Sequence, residues 1–371
     1  MTHHPTQLRK FTLIKTCLLL LTCFGLSGAA NTAHAQVRAY VTNTQCGTVA
    51  VIDTVTNTVV AIVPVGIGPF EVAITPDGTR AYVANGGGTV SVIDTITNTV
   101  IATVPVGGRP LGLAITPDGA RVYIANDSSN SLSVIDTATN TVVDTISVGV
   151  ASRGVAITPD SSRLYVTSSG NAAVTVIEIA TSMVVSTIPV GFNPLGVAIT
   201  PDFTRAYVED TGEFLNIIDT ASNTVVAHIL QPIFHGSLTI TSDGTRIYVA
   251  APTSTTVSII DTSTNAVVNT IPLGNNSPTD SALTPDGARL YITNVLNTVS
   301  VIDTATNTVV TTIPNIACPE TSAHRIAIAE VPQVPKTKND CKDGGYMEFG
   351  PPAGPFRNQG QCIRYVEAHS Q

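Results

Sequence analysis

Seven polar residues stand where related positions of the chain are small or apolar: Glu71, Arg109, Arg153, His235, Asp280, His324 and Arg325. Gathered at one place, these carboxylates, guanidiniums and imidazoles would hold a small polar or zwitterionic ligand by charge-assisted hydrogen bonds. A second group, Glu209-Asp210-Thr-Gly-Glu213, brings three carboxylates together as a candidate Ca²⁺ loop. It lacks the D-x-D-x-D-G spacing that wraps such an ion, so no metal is expected. Signatures of catalysis are missing from the chain: there is no G-x-S-x-G, no H-E-x-x-H, no Walker loop and no Cys-x-x-Cys-His. No cofactor is expected. Gly86-Gly87-Gly88 lies between two strand-like segments rather than ahead of a helix, so it does not cradle a phosphate.

The elements that must position these residues are set by composition and by repetition. Of 371 residues only 12% are charged and 43% are hydrophobic, against a usual charged share of about 25%. Disorder is excluded for most of the chain. Trp is absent, which removes indole-lined pockets, and 28 Gly and 23 Pro beside many Val, Thr and Ile point to short strands joined by tight turns. Ile-Asp-Thr recurs at Asp53, Asp94, Asp136, Asp219, Asp261 and Asp303, with Glu178 in the place of Asp once. The steps are 41 or 42 residues. Arg-x-Tyr keeps the same beat seven times, from Arg38/Tyr40 to Arg289/Tyr291. Seven units therefore fill residues 37–330.

One unit shows the plan. Gly112–Thr116 is a short apolar strand, and Pro117-Asp118-Gly119 turns it, Pro presetting φ and Gly taking the left-handed corner. Arg121–Asn126 and Ser131–Asp136 are the second and third strands, Thr137–Asn140 the next turn, and Thr141–Val148 the fourth strand. No segment shows a helical period. Four antiparallel strands repeated seven times predict an all-β, seven-bladed β-propeller. The ends support closure: the chain opens on a second strand, Val37–Asn43, and closes on an isolated first strand, His324–Glu330. The last strand then completes the first blade and hides both sheet edges.

Tyr40-Val-Thr-Asn43, Tyr82-Val-Ala-Asn85 and Tyr291-Ile-Thr-Asn294, with Thr-Pro-Asp-Gly and Ile-Asp-Thr-x-Thr-Asn-Thr-Val, resemble the YVTN repeat of exported bacterial and archaeal propellers, surface-layer-like proteins included. The resemblance spans about residues 37–330 and implies the fold; functions in that family are too diverse to carry over. The fourth unit departs most, with Ser161 for Gly and Glu178 to Ser182 for Asp-Thr-x-Thr-Asn.

Repetition separates scaffold from signal. Pairing Asn85 with Thr89 in a hairpin sets Arg80 opposite Asp94, so every blade is expected to carry one cross-strand ion pair on one face of the disc. The non-repeating charges fall at the starts of the first strands, on the opposite face, where they ring one mouth of the channel. The expected function is therefore an exported binding or interaction module with its ligand at that mouth. An enzyme of lactonase or lyase type acting there is the alternative, and a surface-layer structural element the third.

Residues 1–35 stand apart. Arg9, Lys10 and Lys15 precede the apolar stretch Thr16–Gly28, and Ala33-His-Ala35 is an A-x-A cleavage site, so a signal peptide is expected. Thirteen apolar residues are too few to span a bilayer of about 30 Å. Bulky Thr22 before Cys23 speaks against lipidation. Residues 36–330 form the propeller, 331–340 a Pro/Lys linker, and 341–371 a small Cys-stapled segment, read as a hairpin and similar to one found on assorted exported bacterial proteins. The full chain carries net −8; without the signal, 15 basic residues face 26 acidic ones, a net −11 that repels nucleic acid. A monomer with an unknown protein or small polar partner is expected, in the periplasm, at the cell surface or outside. Cys46 is placed with Cys318 across the closing blade, and Cys341 with Cys362 in the tail.

Overall fold

The computed structural model describes residues 36–212, 214–230, 237–250, 252–314, 316, 325–333, 342 and 359–369. Seven four-stranded antiparallel sheets make a seven-bladed β-propeller. Blade 3 shows the standard order from the axis outward: Pro110–Ile115, Arg121–Asn126, Ser131–Asp136 and Thr141–Ser147. Blade 1 is assembled from both ends of the chain, with Ile326–Val331 innermost, followed by Gln36–Asn43, Thr48–Asp53 and Thr58–Pro64. The ring closes as the sequence predicts.

There is no single core. Second and third strands are buried on both faces because each blade is sandwiched between its neighbours, and seven apolar clusters fill the seven seams. Between blades 2 and 3, for example, Tyr82, Val90, Val92 and Val104 meet Leu113, Val122, Ile124 and Ile135. The Tyr of each Arg-x-Tyr is fully or almost fully buried, and burying a side chain of this size stabilises by roughly 1.5–3 kcal/mol. Its hydroxyl donates to the Asn of the turn in the next blade: Tyr82 to Asn140 at 2.8 Å, Tyr165 to Asn223 at 3.0 Å, Tyr207 to Asn265 at 3.0 Å. Tyr291 donates to Asn57 at 2.7 Å, carrying the same bond from blade 7 into blade 1. Among the described residues Tyr123 makes no such bond, Ser182 replacing Asn, and Tyr248 makes none although Asn307 is present.

The turn chemistry explains the repeat at the face we call the base. Asp94 Oδ1 accepts from the N–H groups of Ile96 and Thr97 and from the Thr97 hydroxyl, and Asn98 closes the turn at φ 53°. In the Thr-Pro-Asp-Gly turn Asp118 accepts from the Thr116 hydroxyl at 2.5 Å and the Ala120 N–H at 2.9 Å. Glu178, one methylene longer, overshoots and takes only the Thr181 hydroxyl among the described residues.

The register Arg80 opposite Asp94 is correct, but an ion pair in every blade is not. Among the described residues it forms in blades 3, 5 and 7, as Arg121–Asp136, Arg205–Asp219 at 2.6 Å and Arg289–Asp303 at 2.5 Å. In blades 1, 2 and 4 the guanidinium crosses the seam to a carbonyl of the next blade: Arg38 to Thr95, Arg80 to Thr137, Arg163 to Thr220. A carboxylate already occupied by its own turn competes with a bare carbonyl at similar reach, so both solutions occur.

Every outer strand carries a bulge at the same place, leaving Val60, Ile101, Val143, Val185, Val226, Val268 and Val310 out of register. These seven β-branched residues are all about half exposed. The bulge twists the free edge and blunts it against pairing with another sheet. In the tail, Gln359–His369 is an α-helix rather than part of a hairpin. Among its described side chains Cys362 and Val366 are buried, and their i, i+4 spacing puts them on one helical face, a period that the flanking Gly and Asn-Gln-Gly disguise in the sequence.

Candidate functional site at the channel mouth

Each inner strand starts at the face opposite the base. In blades 2, 3, 4 and 7 its first residues are shifted out of register, at Pro69/Val72, Pro110/Gly112, Ser152/Val155 and Pro278/Asp280. Such a bulge re-aims side chains, here toward the axis. One structural position, read around the ring, holds Arg325, Glu71, Gly112, Gly154, Gly196, Ser237 and Asp280 in blades 1 to 7. Crowding against backbone requires two of the three glycines: a Cβ at Gly112 would sit 1.9 Å from the Arg153 carbonyl oxygen, and one at Gly154 2.4 Å from that of Leu195. The three charged residues fall in the consecutive blades 7, 1 and 2, with the cation in the middle.

Arg325 precedes the closing strand. Its guanidinium lies 3.5 Å from Glu71 Oε2 and 3.4 Å from Asp280 Oδ1, and it covers the Phe70 ring at 5.4 Å. Asp280 also accepts the Ile326 N–H at 2.7 Å. Blade 1 is thus held to both neighbours by its own first residue. Burial pushes the Glu71 carboxyl up from 4.5 to about 7; the Arg325 charge opposes the shift and the nearby Asp280 charge adds to it. The Arg325 guanidinium is raised despite burial, by Glu71, then Asp280, then Glu209.

These residues line a cavity of about 610 Å³ on the axis, with Phe70, Leu111, Leu113, Leu195 and Arg153 among its walls. Of the seven residues singled out in the sequence, Glu71, Arg153, Asp280 and Arg325 come together there. Arg109 does not line it: its guanidinium reaches Asp127 at 3.0 Å, and Asp127 also lies 3.5 Å from Arg153. His235 and His324 lie outside the described residues, as do Cys318, Cys341 and Glu213. Cys46 and Cys362 are disulfide-bonded.

The acidic loop resolves into two different roles. Asp210 occupies the position of the repeat Asn (Asn85, Asn126, Asn294) and accepts from the N–H groups of Gly212 and Phe214 and from the Asn216 amide at 2.8 Å. Sister blades use an Asn donor and a Ser acceptor there, so blade 5 inverts the pair and Asp210 is scaffold. Among the described residues no group of three metal-ligating side chains exists. Glu209 is another matter, since its carboxylate lies over Gly196, 2.9 Å from where a Cβ would be, beside the cavity. The sequence singles it out only within the acidic loop in which no metal is expected; the signal for its place beside the cavity is Glu at a position that is Thr or Ala in every sister blade. Asp127 was missed, although no other blade has a charge at that loop position.

The class is therefore a seven-bladed β-propeller with a charged, apolar-walled pocket at one mouth. The family model of YNCE-like β-propellers matches residues 113–205. No curated protein matches the chain. Among solved structures, Kuenenia stuttgartiensis hydrazine synthase is similar at 25% identity and a TM-score of 0.62, over 71% of this chain and 95% of that one. A functionally unknown protein from Desulfotomaculum acetoxidans DSM 771 has 19% identity and a TM-score of 0.69, over 79% and 99%. The dihydro-heme d1 dehydrogenase NirN in complex with DHE has 15% identity and a TM-score of 0.60, over 79% and 75%. The last two likenesses speak to the fold alone. No helix among the described residues is long and apolar enough to cross a membrane.

Proposed function

We propose that the protein is an exported binding propeller that takes a small polar or zwitterionic ligand in the axial cavity. One observation carries this reading: four residues that break the repeat, Glu71, Arg153, Asp280 and Arg325, converge on one cavity whose other walls are largely apolar. An apolar pocket with a few convergent polar groups is the usual form of a ligand site. The lactonase or lyase alternative draws on Glu71 alone, since a carboxyl pushed up to about 7 can exchange a proton near neutral pH. The blunted outer edges weigh against a sheet-paired surface layer. Export rests on residues 1–35 and on cysteine use, with Cys46–Cys318 and Cys341–Cys362 as the proposed pairs; peptide mapping that finds the crossed pairs overturns them.

The direct test is a thermal-shift panel of amino acids and other small zwitterions against wild type, Arg153→Ala and Glu71→Gln. A ligand should raise the wild-type midpoint and lose that effect in both variants. A panel without binders, or binding unchanged in both variants, places the function elsewhere.

A further inference from the structure

The base carries one break in the repeat that the ring does not need. The turn after the inner strand has its left-handed corner at Gly78, Gly119, Gly244 and Gly287, with φ between 69° and 71°. Blade 5 puts Phe203 there, at φ 46°. A bulky side chain is a steric outlier in this region, and such strain persists where it serves a site. The backbone gains nothing from the ring. The Phe203 N–H donates to the Thr200 carbonyl at 2.8 Å and its own carbonyl accepts from the Thr220 hydroxyl, the same bonds that Gly119 makes with Thr116 and Thr137. Nor does burial explain it, since Phe203 is 41% exposed.

The ring reaches into the seam between blades 4 and 5. A Cβ at the same corner of blades 3 and 6 would face the proline of the preceding blade's turn, Pro76 at 3.4 Å and Pro201 at 3.3 Å. In blade 5 that direction leads to blade 4. There Phe203 lines a cavity of about 410 Å³ with Asp160 and Arg163 of blade 4 and Asp202, Arg205 and Asp219 of its own blade. Sites for small molecules run from about 300 to 1,000 Å³. The seam between blades 2 and 3 is a natural control. It sets the same two guanidiniums over one turn, Arg80 on the Thr137 carbonyl and Arg121 on Asp136, with Gly119 at the corner. In the seam of blades 4 and 5, Arg163 donates to the Thr220 carbonyl at 2.9 Å and Arg205 to Asp219 at 2.6 Å. What this seam adds is the aromatic ring.

The polar groups of the cavity select its ligand. Asp160 and Asp202 each accept from one backbone N–H and one hydroxyl beyond the corner, those of Ser162 and Thr204, which leaves lone pairs to spare. Arg163 and Arg205 each engage one terminal nitrogen, and a guanidinium has five N–H groups. An anion in this cavity meets carboxylates and a cation meets guanidiniums. A hydroxyl donates and accepts at once, so a row of hydroxyls satisfies both kinds of wall without leaving a charge unpaired. The Phe203 ring offers a flat apolar surface to a molecule that is apolar on its face and polar along its edge. A neutral sugar has that shape.

We infer that this cavity binds one neutral sugar unit of a glycan, its C–H face on Phe203 and its hydroxyls between the guanidiniums of Arg163 and Arg205 and the carboxylates of Asp160 and Asp202. The site is separate from the mouth and from any ligand bound there.

Affinity electrophoresis of the full chain through gels containing dextran, mannan or galactan tests it, with heparin and chitosan gels as charged controls. At least one neutral polymer should retard the wild type, and the methyl glycoside of its sugar should restore mobility. Phe203→Tyr keeps the ring and should be retarded like the wild type. Phe203→Gly restores the sister residue; it should bind at least tenfold more weakly while its unfolding midpoint stays at or above that of the wild type. Arg153→Ala, at the mouth, should be retarded normally. No retardation in any neutral gel, or retardation in heparin or chitosan alone, overturns the inference. So does retardation that Phe203→Gly or the methyl glycoside leaves unchanged. A midpoint of Phe203→Gly well below wild type would make the ring a part of the seam and overturn it as well. If Arg153→Ala loses the retardation and Phe203→Gly keeps it, the sugar belongs to the mouth and the base is scaffold alone.

Discussion

The two faces of the disc are built from the same seven units, yet they spend their polar groups differently. At the base, each aspartate is consumed by its own turn: Asp303 takes the N–H groups of Ala305 and Thr306 and the Thr306 hydroxyl, and the sister aspartates do the same, while Glu178 takes the Thr181 hydroxyl. At the mouth, Glu71 has a guanidinium at 3.5 Å and no repeated turn to satisfy it. The base turns are local and nearly alike from blade to blade; the charged contacts at the mouth are non-local and confined to a few blades. Repetition therefore marks residues that stabilise the ring, and its interruption marks residues the fold does not need for itself. Arg325 qualifies that rule, because it also ties the closing strand to blades 2 and 7.

If this division is right, the largest stability loss comes from the seams. Tyr82→Ala removes a fully buried ring and the bond to Asn140, and should cost about 3–5 kcal/mol in denaturant unfolding. Phe192→Ser at the mouth should stay within about 0.5 kcal/mol. A comparable loss at both sites would erase the distinction. Next in size, Asp118→Ala at the base forfeits the Thr116 and Ala120 bonds and should cost roughly 0.5–1.5 kcal/mol, with no effect on any ligand bound at the mouth.

The faces should also answer pH with opposite signs. The Thr116, Thr200, Thr241 and Thr284 hydroxyls, then backbone N–H groups, hold Asp118, Asp202, Asp243 and Asp286 below the usual carboxylate value of 3.8. Their contribution is complete above that value and is lost as pH falls through the lower folded-state values. Glu71 is raised, so the folded state holds a proton that the unfolded chain gives up between 4.5 and about 7, and stability from this group fades across that window as pH rises. Glu71→Gln lacks the effect. The midpoint of the variant minus that of wild type should therefore grow from pH 5 to pH 8, by on the order of 2–4 °C. A flat difference would mean that Glu71 titrates as it does in water.

Much of this architecture was legible in the chain. Ile-Asp-Thr and Arg-x-Tyr, one per 41 or 42 residues, give blade number, register and closure, because most motif residues bond within their turn, across their hairpin or to the next blade at a fixed offset. What the sequence hides is competition between near-equal partners. Whether Arg121 turns to Asp136 or, like Arg80, to the next blade depends on side-chain packing in the seam, which repeats do not record. Asp210 stands out in the sequence as part of an acidic loop, and its place in the repeat shows only when Asn216, six residues on, is seen donating to it. Glu209 and Asp127 were within reach, since each is the single charged residue in its column of seven. The tail helix was obscured by Gly360 in its first turn and by the glycines and prolines that precede it.

The smallest effect tests that competition directly. Arg121 is paired with Asp136 within its own blade, whereas Arg80 donates across the seam to the Thr137 carbonyl. Both guanidiniums are partly exposed, so Arg121→Met and Arg80→Met should each cost only about 0.2–1 kcal/mol. Their salt dependence should differ. An exposed pair of full charges is screened when the Debye length shrinks from about 10 Å at 0.1 M to about 3 Å at 1 M, while a charge–dipole bond at contact loses less. The cost of Arg121→Met should then fall toward zero in 1 M NaCl and that of Arg80→Met should persist. Equal persistence would show that Arg121 acts through its aliphatic stem and its bond to the Ala120 carbonyl at 3.0 Å rather than through Asp136. Equal loss would show that the seam-crossing bond is no more durable than the pair it replaces, and the two sets of blades would then differ in geometry but not in strength.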